Sequence, residues 1–117
     1  MGLSVYDYFQ RAMRHTMATP NGLCGELVAS SDGNSALFYI EAELGWITRA
    51  SYRCTSCMTL VALCEHAAEL VSGTRLQSAA AITGEALLAL HPEIPVMRQD
   101  RANLAASALL SAILRQP

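Results

Sequence analysis

The chain has 117 residues, 52% of them apolar and only 15% charged, with a net charge of −2. That length predicts a single domain with its own core and no need of disulfide staples. The charge balance argues against a basic nucleic-acid footprint, and no apolar run approaches the ~20 residues that would cross a bilayer.

The opening stretch, MGLSVYDYFQRAMRH, carries acidic and polar residues where a signal peptide would be apolar. The sequence therefore reads as a soluble cytoplasmic protein. In a reducing compartment its four cysteines are expected as thiols, ligands or nucleophiles rather than bridges.

Val5, Tyr8, Phe9, Ala12, Met13 and Met17 recur at helical spacing and predict a first helix within residues 3–18, stopped by TPNG at 19–22. From Cys24 to Arg53 the pattern turns β-prone. LVAS, ALFYIEA and WITRASY are separated by the turn formers SDGN and ELG, which predicts a three-stranded antiparallel meander. Thr55 or Ser56 is suited to cap the next helix, whose stripe runs through Cys57, Leu60, Val61, Cys64, Ala67, Ala68 and Val71, and Gly73 gives it a left-handed exit. RLQSAAAI and GEALLAL predict two short helices. HPEIPV is forced extended by its prolines, and DRANLAASALLSAIL closes the chain as an amphipathic helix. The expected fold class is α+β, a small sheet with several helices packed on one face of a single domain over 1–117.

Cys54, Cys57 and Cys64 crowd into eleven positions. Cys57 is expected in the first turn of its helix, where unpaired N–H groups and the positive dipole end favour a thiolate, a good place for a ligand or sulfur acceptor. Cys54 completes a C-x-x-C that could chelate a metal or cycle as a dithiol, or else is a half-buried strand residue. Cys64 falls on the buried stripe and reads as core. Cys24, Gly25 and Glu26 offer a thiolate and a carboxylate that a meander could return towards Cys57. Two thiolates with one or two carboxylates suit zinc, ferrous iron or an iron–sulfur cluster. His15 and His66 read as solvent-facing helix residues and His91 as a loop histidine in water; Trp46, Tyr39 and Tyr52 read as sheet and core residues.

These residues resemble the U-type iron–sulfur cluster scaffold family, which comprises IscU, SufU and the N-terminal domain of NifU. The spacing of Tyr8 to His15, followed by PNG, is similar to the family opening. LFYIEAELGWITRASYRCTSC follows its second and third strands and ends on its second cysteine, which falls on Cys57. CMTLVALCEHAAELVSGTRLQSAAAI follows the next helix, glycine turn and short helix, and IPVMRQDR resembles a worn form of the segment that assembly chaperones bind. The resemblance covers nearly the whole chain, and residues 37–101 follow the family without a gap.

It implies a non-enzymatic scaffold that transiently holds a 2Fe-2S cluster, iron or possibly zinc, or accepts persulfide sulfur, through Cys24 and Cys57. Glu26 and Asp100 would complete the metal set. The implied partners are a cysteine desulfurase and an assembly chaperone, and the implied state is a monomer or weak dimer. Two departures stand out. The family's third cysteine falls on Arg101, preceded by Asp100, and a guanidinium cannot ligate a metal. The first ligand motif can be matched to Cys24 and Glu26 with a hairpin insertion, which is the preferred register, or to Ser31 and Asp32 with a single deletion. The alternatives to a scaffold are a degenerate homologue acting as an adaptor or regulator, and a thiol enzyme working through Cys54 and Cys57.

Overall fold

The computed structural model describes residues 2–14 and 21–117. The expected extension of the first helix to residue 18, and His15 with it, lies outside these. Within them the fold is α+β. Helix α1 spans Val5–Met13, and its N-terminus is closed by a capping box between Ser4 and Asp7. Two short strands, β1 (Leu23–Cys24) and β2 (Val28–Ala29), precede the long hairpin of β3 (Ser35–Glu43) and β4 (Trp46–Cys54). Then come α2 (Met58–Val71), α3 (Leu76–Ala80), α4 (Gly84–Ala89), a single 3-10 turn at Val96–Arg98, and α5 (Asp100–Leu114). No helix among the described residues is long and apolar enough to cross a membrane.

The meander has three layers of strand, but its first is broken. Cys24 pairs with Tyr39 and Val28 with Ala36, so four steps along the first strand (24 to 28) oppose three along β3 (39 to 36). The extra residue is a bulge, and β1 and β2 are its two flanks. On the other side of β3, β4 pairs from Ala36 with Cys54 to Glu43 with Trp46, with one register shift between Glu41 and Ala42 that skips Thr48.

Alternation decides which face is core. Ala36, Phe38 and Ile40 are fully buried, and their cross-strand partners Cys54, Tyr52 and Ala50 pack against the same cluster, which α2 and α5 cover with Leu60, Leu63, Cys64, Ala105 and Leu109. Cys64 is core, as its stripe predicts. Trp46 is not. It is 45% exposed and lies under the Arg75 guanidinium, 4.7 Å from the ring centroid, because the start of β4 is already covered by backbone bonds from Gly73 and Thr74.

The histidines also depart from expectation. His91 is 1% exposed rather than in water, because Pro92 and the turn into α5 fold it beneath α1. Its Nε2 lies 2.7 Å from Nδ1 of His66, and His66 stacks on Tyr8 with ring centroids 4.2 Å apart. Tyr8 in turn donates to Glu69, and burial together with that carboxylate pushes its phenol up to about 12. Burial, then the neighbouring imidazole of His91, holds His66 below its ordinary range.

A base with a depressed folded-state pKa leaves the native state binding fewer protons than the unfolded chain. Its contribution is complete above the unfolded value near 6.5 and is lost as pH falls through the lower native value. The urea midpoint should therefore fall between about pH 7 and pH 5, and fall less in His66→Gln. Equal slopes in the two proteins would remove this pair from the acid response.

Candidate functional site

Cys57 does not sit in the first turn of α2 but is its N-cap, in extended backbone, while Thr55 serves the neighbouring hairpin. The Thr55 hydroxyl donates to Asn34 Oδ1 at 2.9 Å and accepts from the Ser35 N–H at 3.2 Å, and the Thr55 N–H donates to the Ser35 carbonyl at 3.0 Å. These bonds clip the turn at 30–34 onto the end of β4. Gly33, at φ +91°, lets that turn close. The Ser30 hydroxyl donates to Asp32, whose carboxyl is held below its usual range by Ser30 first, with further help from the Asn34 N–H and the charge of Arg101.

Arg101 fills the space between. It rises from the first turn of α5 with its side chain 16% exposed, so it is not the ordinary surface arginine of a closing helix. Its Nη1 lies 2.7 Å from Asp100 Oδ1, 3.2 Å from Asp32 Oδ2 and 3.2 Å from the Met97 carbonyl. The guanidinium also lies beside the Cys57 sulfur, close enough to interact with it. Asp100 first, and then Cys57, raise its pKa further above its already high ordinary value. Its buried Nε has no hydrogen-bond partner among the described residues.

Cys24 and Glu26 are not brought to this place. Cys24 lies across β3 from β4, and three residues along the strand with two strand spacings put it about 14 Å from Cys54. The Glu26 N–H donates to Ser111 Oγ, near the C-terminal end of α5, ten residues and about 15 Å along the helix from Arg101. The residues of the preferred register thus lie apart from Cys57, whereas Asp32 of the alternative register is bonded to Arg101. Asp100 is present, but bonded to Arg101.

A cluster needs four cysteine-like donors, and zinc a tetrahedron of nitrogen, sulfur and oxygen donors. Cys57 has two carboxylates nearby, both engaged by one cation, and no group of three or more His, Cys, Asp or Glu among the described residues is placed to hold a metal. These residues do not fit a resident iron–sulfur cluster or zinc ion.

Cys54 faces away from this arrangement. As an even-numbered residue of β4 it points to the core face, with the Cys64 thiol close enough to act on it as a hydrogen-bond donor. That bond lowers the pKa of Cys54 against the effect of burial, whereas burial, and then Cys54, push Cys64 well up. The sequence offers one signal for this pair: the parity of β4 and the stripe of α2 aim both sulfurs at the same layer.

The family model described as NifU-like N terminal domain matches residues 4–116. Comparison with curated proteins finds no match. Among solved structures, a hypothetical protein determined by crystallography at 2.3 Å resolution superposes with a TM-score of 0.66 at 18% identity, covering 92% of this chain and 97% of that one. At that identity the likeness carries the fold alone.

Proposed function

The chain belongs to the NifU-like N-terminal domain family, whose members are scaffolds of iron–sulfur cluster assembly, and from that membership we propose that it works on the sulfur side of assembly, accepting sulfane sulfur as a persulfide on Cys57. The observation that carries this reading is the guanidinium of Arg101 on the Cys57 sulfur. Where a metal-holding site would offer a cation to its thiolate, this chain offers one of its own. The family works with cysteine desulfurases and chaperones, so the donor is the persulfide of a desulfurase. The Cys57 thiolate attacks the outer sulfur of that persulfide, the donor's S–S bond breaks, and the donor cysteine leaves as a thiolate. The new outer sulfur carries negative charge once deprotonated, and Arg101 lies close enough to neutralise it.

A second reading, an adaptor that binds assembly partners and carries neither sulfur nor metal, is favoured by the engagement of both Asp32 and Asp100 with Arg101. One experiment separates the two. The protein is incubated with a cysteine desulfurase and limiting cysteine, blocked with an alkylating agent, and mapped by mass spectrometry. The sulfur-acceptor reading expects one reductant-labile sulfur on the Cys57 peptide, none in Cys57→Ser, and about tenfold less in Arg101→Gln, the loss of one charge-assisted hydrogen bond. A protein that binds the desulfurase yet gains no sulfur at Cys57 is the adaptor.

A further inference from the structure

A second concavity among the described residues lies away from Cys57. It is a cavity of about 590 Å³ running along the outer edge of β4 between α1 and α2, within the size range of small-molecule sites, and Cys54 lines it. Cys57 and Cys64 are not in that lining. Cys64 is 0% exposed in the core cluster that Cys54 packs against, and the two thiols are close enough to influence each other. The arrangement has two parts: a half-buried sulfur reachable from a pocket, and a second sulfur sealed behind the first, which no ligand reaches except through it.

We propose that the Cys54–Cys64 pair is a thiol–disulfide exchange site, with Cys54 the attacking sulfur, Cys64 the resolving one, and the disulfide of a low-molecular-weight thiol the substrate that the cavity admits. In the first step the Cys54 thiolate attacks one sulfur of the disulfide. A Cys54 mixed disulfide forms, the substrate's S–S bond breaks, and one half leaves as a thiolate. In the second step the Cys64 sulfur attacks the Cys54 sulfur, the mixed disulfide breaks, and the other half leaves. The two cysteines lose two electrons to form one S–S bond, the substrate gains them as two thiols, and the two protons of the cysteines end on those thiols. Closing the bridge brings the sulfurs from hydrogen-bond contact to about 2 Å.

The polarity of the pair agrees with this order. The hydrogen bond from Cys64 favours the thiolate of Cys54, and burial keeps Cys64 protonated until the mixed disulfide is in front of it. The cavity suits a carboxylate-bearing thiol. Its two acids are already occupied, Glu65 by the Tyr52 hydroxyl at 2.7 Å and Glu69 by Arg11 at 2.7 Å, while the exposed residues Arg49 and Arg53 also line it. The site is independent of Cys57, since the C-x-x-C spacing does not describe the pair that meets.

The test uses the intact, fully reduced protein and glutathione disulfide, with free thiols trapped by alkylation over a time course and the products mapped as peptides. The expected result is loss of two of the four alkylatable thiols, a linked Cys54–Cys64 peptide, and release of two equivalents of glutathione without a lasting adduct. Cys57→Ser should form the bridge unchanged, whether or not Cys57 carries sulfur. Cys64→Ala should stop at a stable glutathione adduct on Cys54. Because that variant loses a core atom, the wild-type time course decides the matter without it. A Cys54–Cys57 linked peptide, a lasting adduct on Cys54 in the wild type, or four thiols surviving would each overturn the proposal.

Discussion

Replacing Arg101 by cysteine should raise the affinity of this place for divalent cations. In the native chain a metal ion at Cys57 would stand within a few ångströms of a guanidinium. Two unit charges 4 Å apart cost about 4 kcal/mol at the effective dielectric of a partly exposed site, which is about three decades of affinity. The side chain is 16% exposed and Asp32 and Asp100 already offset much of its charge, so we expect a gain of about a decade. Arg101→Ala should recover the share that comes from charge alone. The cysteine variant should add a second thiolate and free Asp32 and Asp100, which now bond the guanidinium, to serve as oxygen donors. Cobalt titration followed by thiolate-to-metal absorbance, and zinc competition against a chromophoric chelator, read both quantities. If the wild type already binds zinc through Cys57 as tightly as the variant does, the account of Arg101 as an obstacle to metal is wrong.

Gly25→Ala should cost far more stability than a methyl group added at an open glycine. Gly25 stands in the break between β1 and β2, where the strand presses against α5. A Cβ there would lie 2.7 Å from the Ser111 carbonyl carbon and 2.8 Å from the Ala112 Cα. These are backbone atoms of a helix whose other side is core, so neither can swing aside. Overpacking of this kind typically costs 1–3 kcal/mol, and with rigid backbone on both sides we expect the upper end, about 3 kcal/mol. The melting temperature should fall by on the order of 10 °C. Gly33→Ala is the contrast. Nothing lies within 4 Å of its Cβ, and only its positive φ carries a cost, about 1 kcal/mol. Equal losses at the two glycines would show that contact with α5 is not what selects Gly25.

The same glycine shows how one sequence pattern can serve two ends. Cys24, Gly25 and Glu26 in sequence look like a ligand motif because a glycine between a thiolate and a carboxylate is what such a motif requires. Here the glycine answers to helix packing, and the residue after it donates its N–H to Ser111. Residue identity does not distinguish these uses, since the deciding neighbour is about 85 residues away. Elements were legible where periodicity is strong: α2, α5 and the β3–β4 hairpin follow directly from their patterns. Their junctions were not. The cap of α2 fell on Cys57 because Thr55, the better capping residue by type, is used by the turn at 30–34. His91 could not be seen as buried, since its partners His66 and Tyr8 meet it only once α1 has docked. Arg101 was legible as a departure from the family but its partners were not, because they come from a turn, a cap and its own helix.

Arg101 also does something no missing ligand could. Its cation is held by two carboxylates, a carbonyl and a sulfur drawn from three separate segments, so it is a fixed feature rather than a roaming side chain. Under the proposed reading, a persulfide on Cys57 would find its counter-charge already in place, with no side chain to be recruited.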